Sequence, residues 1–154
     1  PAGVDRIDVV SAAEMADAVL GRVDAQDVFV SVAAVAYYRP AQVHERKVKK
    51  SDAAMTIALE PTVDILATVA ARERAPFCVG FAAESHDVVK HGDEKRKRKK
   101  LAMLVANRAQ DALGADDNEV TILDERGAHA LPRMDKLALA RRLCAEIAAR
   151  LKAR

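Results

Sequence analysis

The sequence predicts an α/β fold, with a Rossmann-like, mostly parallel sheet, helices on both faces and a hairpin at one edge. Strand patterns alternate with helix patterns along the chain. Residues 28–35 are apolar on both faces, as expected of a parallel strand that helices cover on both sides. The 154 residues fit one domain of ordinary size. We therefore treat 1–154 as a single domain without repeats or an internal linker.

The first third of the chain is predicted to run strand, helix, strand and loop. Ile7–Val10 has the pattern of a short strand, and Ser11 with Glu14 forms a capping box that starts a helix. Residues 28–35 are rich in β-branched side chains and are predicted to be the central strand. Residues 37–50 carry five cationic side chains and a proline without apolar periodicity, which indicates a loop after that strand.

The rest of the chain continues the alternation of strands and helices. Its predicted elements are a strand at 55–59, a helix started by Pro61 and Thr62, a strand at 77–81, a charged helix at 87–100, a strand at 101–106, a hairpin of 120–123 and 129–131, and a final helix at 135–151. Ligands of open α/β sheets bind beyond the carboxyl ends of the strands. We therefore expect the site near Ala36, Phe81 and Asn107.

Composition excludes several classes of protein. Hydrophobic residues make up 51% and charged residues 31% of the chain, which is typical of a folded domain rather than a disordered one. No apolar run reaches the roughly 18 residues of a membrane-spanning helix, and the first residues lack a secretion signal. The sequence thus predicts a soluble, cytoplasmic protein without a membrane partner. Cys78 and Cys144 form no CxxC pair and are expected to be packing thiols.

Net charge, aromatic content and the spacing of the glycines argue against two further classes of protein. A net charge of +2 and an aromatic content of 3% argue against a nucleic-acid partner. The six glycines are dispersed, so the chain has neither a GxGxxG nor a P-loop. This absence disfavours a dinucleotide-dependent oxidoreductase. Any phosphate ligand would have to be held by cationic side chains, or by a glycine-rich segment upstream of this chain.

Two basic segments are the candidate anion sites. Residues 46–50 put four cations on the loop after the predicted central strand, where either a phosphate contact or a solvated loop is possible. Residues 95–100 end a helix, where cations also offset the helix dipole. Lys95 and Lys99 lie four residues apart and share a face with Arg98. Arg96, Lys97 and Lys100 are expected to face water; a nuclear-localisation or RNA patch is the alternative.

Histidine and serine patterns give little support for a metal or a hydrolase site. His44, His86, His91 and His129 form no HExxH motif, and no two of them are spaced i, i+4 on one helix. No serine lies in a GxSxG motif. We predict no protein metal site, and expect any metal to be Mg²⁺ carried on the phosphates of a nucleotide.

Six motifs, in this order and spacing, resemble the bacterial phosphopantothenoylcysteine synthetase family. They are Ala33-Ala34-Val35-Ala36-x-Tyr38-Arg39, Lys47-Val48-Lys49-Lys50, Asp64-Ile65-Leu66-Ala67, Val79-Gly80-Phe81-Ala82-Ala83-Glu84, Lys95-x-x-Arg98-Lys99 and Val105-Ala106-Asn107. Each motif alone is weak, and the ordered set is specific. The resemblance covers nearly the whole chain.

The resemblance implies a CTP-dependent ligase of coenzyme A biosynthesis. Its substrates would be 4′-phosphopantothenate and cysteine, joined through an acyl-cytidylate, with Mg²⁺ accompanying the CTP. The family's domain is usually the carboxyl-terminal half of a bifunctional protein whose other half is a flavin-dependent decarboxylase. FMN would therefore belong to that linked domain and not to this chain. The resemblance also implies a homodimer.

The resemblance assigns roles residue by residue. Lys47 matches the essential loop lysine and is the expected catalytic residue. The positions that match the nucleotide-binding residues are Ala33, Ala34, Tyr37, Asp64, Ile65, Leu66, Ala67, Phe81, Lys95 and Lys99.

Three departures from the family pattern qualify these assignments. Tyr37 stands where the family usually has an aspartate that contacts the nucleotide, and Val63 replaces a proline. The family's glycine-rich turn and the asparagine of its second half-reaction would lie upstream of Pro1. The chain is therefore expected to be the later part of the domain, lacking its first βα units. A non-catalytic nucleotide- or RNA-binding module that uses the basic helix face is the rival interpretation.

Overall fold

The computed structural model describes residues 2–43, 46–50, 54–112 and 114–153. In chain order the helices are α1 (Ala12–Leu20), a short 3₁₀ helix (Val23–Ala25), α2 (Ile65–Ala70), α3 (Val88–Arg98), α4 (Ala109–Ala112) and α5 (Lys136–Lys152). The strands are β1 (Val28–Ser31), β2 (Tyr38–Pro40), β3 (Leu59–Pro61), β4 (Phe77–Glu84), β5 (Met103–Arg108), β6 (Asp117–Asp124) and β7 (Gly127–Asp135). None of the helices in these ranges is both long and apolar enough to span a bilayer.

Five of these strands form the main sheet, in the order β1-β4-β5-β6-β7. The first three run parallel to one another, and β6 and β7 are antiparallel additions at one side. The strands β2 and β3 pair separately as a short antiparallel ribbon. This arrangement confirms the predicted Rossmann-like α/β class and its edge hairpin.

The sheet buries a different apolar cluster on each face. Side chains of a strand point alternately to opposite faces, so Met103 and Val105 of β5 join one cluster while Leu104 and Ala106 join the other. The cluster with Leu104 includes side chains of α1 and α2, and α3 packs over it. The cluster with Met103 includes Leu139 and Leu143 of α5. Helices thus cover both faces, as the sequence predicts.

Several predicted elements are confirmed with their local chemistry. The capping box of α1 forms as expected: the Ser11 hydroxyl accepts the Glu14 N–H at 3.1 Å, and the Glu14 carboxylate accepts the Ser11 N–H at 3.3 Å. The β6–β7 hairpin turns at residues 124–127, where Gly127 has a φ of +120° that other residues rarely adopt.

One strand prediction at the start of the chain is wrong, and a second is confirmed only in part. Ile7–Val10 has no ladder partner among the described residues, and the Val10 N–H is instead bound by the Glu14 carboxylate at 2.7 Å. The strand predicted at 28–35 stops at Ser31 and lies at the edge of the five-stranded sheet. The central positions belong to β4 and β5, whose apolar residues are more fully buried than those of β1.

The segment between β1 and α2 also differs from the prediction. Three residues of the expected loop form β2, and only Leu59 of the strand predicted at 55–59 lies in β3. The alternating apolar side chains of that prediction are more than half exposed: Met55, Ile57 and Leu59. The alternation of apolar residues in this segment therefore does not mark the buried face of a sheet.

Two smaller predictions also need correction. The helix expected from Pro61 and Thr62 begins at Ile65, because Asp64 provides its amino-terminal cap. Cys78 is a buried packing thiol as predicted, whereas Cys144 is exposed on α5. Cys144 is a free thiol.

Candidate functional site

A threonine joins the segment after β1 to the segment before α2. The Thr62 N–H donates to the Tyr37 carbonyl at 2.9 Å, and the Thr62 hydroxyl donates to the Ala36 carbonyl at 2.5 Å. The predicted nucleotide residues Ala33 and Ala34 precede this junction and are exposed, as is the Tyr37 ring. The fold thus brings the first and third motifs of the resemblance together.

Asp64 connects this junction to the basic helix end. Its carboxylate accepts the Ala67 N–H at 3.1 Å and binds the Lys99 ammonium group at 2.8 Å. Only 13% of the Lys99 side chain is exposed. Partial burial acts to raise the pKa of Asp64, but the hydrogen bonds from Lys99 and the Ala67 N–H outweigh it, so the pKa lies below its ordinary value. Asp64 is therefore an ionised partner for Lys99 at neutral pH.

A second lysine–carboxylate pair lies one helical turn earlier. The Lys95 ammonium group binds the Glu84 carboxylate at the end of β4, at 2.7 Å, and both side chains are at least three-quarters buried. Lys97 is 68% exposed and binds Asp93 of its own helix. Lys95 and Lys99 therefore differ from Lys97 in the way that the helical spacing predicts.

The basic segment departs from the prediction at one residue. Arg96 was expected to face water, yet only 13% of its side chain is exposed. Its guanidinium group donates to the Asp93 carboxylate at 2.9 Å and to the Leu101 carbonyl at 3.5 Å. Arg96 thus fixes the end of α3 to the start of the next strand, while Arg98 and Lys100 are exposed.

Lys47 lies on the exposed segment 46–50. No ion pair to its side chain occurs among the described residues. The stretch of chain that carries Lys47 begins and ends at the β2–β3 ribbon. Next to this ribbon the Ala41 N–H donates to the Ala58 carbonyl at 2.9 Å. Its expected catalytic role stays a prediction, and His44 lies outside the described residues.

The remaining predicted nucleotide residues lie in or next to the apolar clusters of the core. Ile65 and Leu66 are buried in the apolar cluster beneath α1 and α2, and the Ala67 N–H is occupied by Asp64. Phe81 is half-buried against the cluster beneath α5, on the opposite face of the sheet from Lys95 and Lys99. The structure therefore groups the two lysines with Asp64 and Glu84, and leaves Phe81 on the other face.

One cluster was missed by the sequence analysis. His86, Asp87 and His91 bring a potential ligand atom each to within 4.8 Å of one another at the junction of β4 and α3. The two histidines are five residues apart, a spacing that helix-based metal motifs do not include. Asp87 lies between them in the chain and has a left-handed backbone, with a φ of +46°, that no sequence pattern predicts.

The pairing of Asp64 with Lys99 can be tested by titration. Because the hydrogen bond from Lys99 lowers the pKa of Asp64, we expect Lys99→Ala to raise that pKa toward the ordinary aspartate value of about 3.9. NMR titration of the carboxyl group in both proteins measures the shift. Lys97→Ala is the matched control and should leave the Asp64 pKa unchanged. Equal values in the unsubstituted protein and in Lys99→Ala would show that the ion pair does not form in solution.

These features define the class of the protein. An open α/β sheet with parallel strands β1, β4 and β5 and helices on both faces is a Rossmann-like fold, and two part-buried lysines lie beside this sheet. The chain belongs to the family described as the DNA/pantothenate metabolism flavoprotein C-terminal domain, whose model matches residues 1–151.

Relatives and solved structures agree with this assignment. The chain is 42% identical over 153 residues to the coenzyme A biosynthesis bifunctional protein CoaBC of Vibrio vulnificus strain YJ016, covering 96% of this chain and 38% of that protein. It is 42% identical over 147 residues to CoaBC of Bacillus subtilis strain 168, covering 93% and 36%. The chain thus spans little more than a third of the length of these relatives.

The structural comparison extends over the whole chain. The crystal structure of the C-terminal domain of CoaBC matches with a TM-score of 0.82 and 33% identity, covering 100% of this chain and 69% of that one. The DNA/pantothenate metabolism flavoprotein from Streptococcus pneumoniae, at 16% identity and a TM-score of 0.77, shares the fold. The resemblance drawn from the six motifs is confirmed.

Proposed function

We propose that this chain is part of a CTP-dependent phosphopantothenate–cysteine ligase of coenzyme A biosynthesis. Membership of the family and the similarity to the coenzyme A biosynthesis protein CoaBC support the pathway. In the first step a carboxylate oxygen of 4′-phosphopantothenate bonds to the α-phosphorus of CTP, and pyrophosphate leaves. In the second step the amine of cysteine bonds to the acyl carbon of the acyl-cytidylate, CMP leaves, and the amine gives up a proton.

The observation that carries this proposal is the pair of part-buried lysines on one face of α3. Lys95 and Lys99 are each bound by a carboxylate, which restricts the positions of their ammonium groups. Fixed positive charge in a partly desolvated site is what a triphosphate and an anionic acid need in order to approach each other. A polyanion would share these ammonium groups with Asp64 and Glu84, because each ammonium group has three N–H donors.

Lys47, on the exposed segment 46–50, would complete the site. Its ammonium group has no ion-pair partner among the described residues and can meet the phosphate that becomes more negative as pyrophosphate leaves. The carboxylates of Asp64 and Glu84 are committed to lysines. Mg²⁺ would therefore be carried mainly by the phosphates of the nucleotide, as is usual for this ion.

The fusion partner and the assembly belong to the same proposal. The chain covers 38% of the Vibrio vulnificus relative, which is a bifunctional protein. We infer that this chain is likewise joined to a flavin-dependent decarboxylase domain, which would hold the FMN, and that the ligase works as a cytoplasmic homodimer. Intact mass and sedimentation of the full-length protein test both points.

Single lysine substitutions distinguish a nucleotide site from a diffuse basic patch. We expect Lys95→Ala and Lys99→Ala each to weaken CTP binding by about 1.5–3 kcal/mol, the usual contribution of a charge-assisted hydrogen bond. Lys97→Ala should have little effect, because it lies about 200° around the helix from Lys95. Calorimetric titration of CTP with Mg²⁺ into the complete synthetase domain measures all three variants, and thermal unfolding checks their folding.

The rival RNA-binding module makes the opposite prediction for the same variants. A diffuse patch would lose affinity about equally at each lysine, with a salt dependence that falls by a similar amount each time. Equal losses at Lys95, Lys97 and Lys99 would therefore contradict the nucleotide site. Two of the three lysines, Lys95 and Lys99, are mostly buried whereas Lys97 is 68% exposed, which favours a localised site over a diffuse exposed patch.

A further inference from the structure

The junction of β4 and α3 gathers three side chains that commonly bind metal ions. His86 and Asp87 follow the last residues of β4, and His91 lies in the first turns of α3. One ligand atom from each lies within 4.8 Å of the other two, and the two imidazole rings meet edge to face with centroids 4.9 Å apart. Two imidazoles and one carboxylate form a donor set suited to late divalent transition metals.

The local backbone directs the aspartate toward the histidines rather than toward the helix. Asp87 occupies the position of the α3 amino-terminal cap but makes no side-chain hydrogen bond to the helix. The corresponding Asp64 and Asp135 both accept backbone N–H groups of the helices that they precede. Asp87 also adopts a φ of +46°, a conformation that is costly for a residue other than glycine. Its carboxylate is thus available to a ligand.

A second contact orients one of the imidazoles. The Ser85 hydroxyl lies 2.8 Å from Nδ1 of His86. When Nδ1–H donates to this hydroxyl, Nε2 carries the lone pair that binds a metal, an arrangement common in metal-bound histidines. The Ser85 contact therefore restricts the orientation of the His86 ring.

We propose that His86, Asp87 and His91 form a binding site for a divalent transition-metal ion, with Zn²⁺ as its test ion. Bonds of about 2.0–2.2 Å to the metal require the ligand atoms to move somewhat closer together, which small side-chain rotations achieve. His86 and Asp87 are exposed, so the remaining coordination positions face solvent. The nitrogen ligands disfavour Mg²⁺, which binds oxygen.

The place of this site in the fold suggests what a bound ion would do. Glu84 lies two residues before His86, and Lys95 lies one helical turn after His91. An ion held by all three ligands would tie the end of β4 to the first turns of α3 and so fix the junction that carries the Glu84–Lys95 pair. The proposal is independent of the ligase assignment, because binding is measured without CTP or substrate.

Titration calorimetry with Zn²⁺ tests the site on the whole chain. We expect one Zn²⁺ per chain, and a loss of affinity of more than about tenfold in His86→Asn and in His91→Asn, because even outer partners of metal ligands contribute that much. His129→Asn is the matched control, since His129 binds Asp124 on the β6–β7 hairpin, outside the cluster. It should bind Zn²⁺ like the unsubstituted chain, and excess Mg²⁺ should not compete.

The variant Asp87→Gly separates loss of the site from loss of the fold. Glycine relieves the left-handed conformation and removes the carboxylate, so this chain should unfold at the same or a higher temperature and bind Zn²⁺ at least about tenfold more weakly. Absence of stoichiometric Zn²⁺ binding would overturn the proposal. So would equal affinity in Asp87→Gly and the unsubstituted chain, an equal loss in His129→Asn, or competition by Mg²⁺.

Discussion

Replacing Lys47 by glutamine is expected to abolish formation of the acyl-cytidylate while leaving the fold intact. Removal of one fixed charged donor from a reacting phosphate typically costs a factor of about 10²–10³ in rate. The Lys47 side chain is exposed, so its loss should change the free energy of unfolding by no more than about 0.5 kcal/mol. The measurement is pyrophosphate release from CTP and 4′-phosphopantothenate by the complete synthetase domain.

Lys50→Gln provides the matched control for this experiment. Lys50 is exposed on the same segment and carries the same charge, so a general electrostatic effect would slow both variants alike. We expect the Lys50 variant to release pyrophosphate at nearly the unsubstituted rate. If the Lys47 variant did the same, Lys47 would have no part in the activation step.

The largest effect on stability is expected at Asp124, the one buried charged residue within the described chain. Its carboxylate binds the Arg150 guanidinium group of α5 at 2.8 Å and accepts the Arg126 N–H at 2.8 Å. Only 13% of the Arg150 side chain is exposed. In Asp124→Asn its guanidinium group would keep only Glu146 as a charged partner. We expect a loss of about 2–3 kcal/mol in the free energy of unfolding, somewhat below the cost of a fully unpaired buried charge.

Urea unfolding of Asp124→Asn and Asp117→Asn measures this difference. Asp117 also binds an arginine, Arg133, at 2.8 Å, but both side chains are nearly half exposed, so its loss should cost less than about 1 kcal/mol. Similar losses in the two variants would show that the buried pair contributes no more than a surface pair.

The same carboxylate gives the stability a defined pH dependence. Burial acts to raise the pKa of Asp124, but hydrogen bonds from Arg150, the Arg126 N–H and His129 outweigh it and lower the pKa. A group with a lowered folded-state pKa stabilises the protein above its ordinary pKa, and that contribution is lost as the pH falls through the lowered value. The difference between the unsubstituted chain and Asp124→Asn should therefore be smaller at about pH 3 than at about pH 7.

Elements with a strong pattern could be predicted from the sequence alone. The spacing of apolar residues in α5 and the turn residues of the β6–β7 hairpin are local signals, and the structure confirms both. The face shared by Lys95 and Lys99 also follows from helical geometry alone. Local spacing was enough for each of these features because neighbouring residues determine them.

Features that depend on distant residues could not be predicted. Whether residues 28–31 lie at the centre or the edge of the sheet depends on which strands pair beside them, and β4 and β5 are separated from them by more than 40 residues. The partners of Lys95 and Lys99 come from β4 and from the cap of α2. The His86 cluster includes Asp87, whose left-handed backbone no sequence pattern predicts. None of these has a signature in the spacing of residue types.

The β2–β3 ribbon has a consequence for how this chain tolerates change in length. The ribbon pairs Pro40 with Leu59, so the chain between these two residues begins and ends at neighbouring positions. The entropic cost of such an excursion grows only with the logarithm of its length, and doubling it costs about 0.6 kcal/mol. Insertions or deletions between these two residues should therefore change the length of the chain that carries Lys47 with only a small change in the free energy of unfolding.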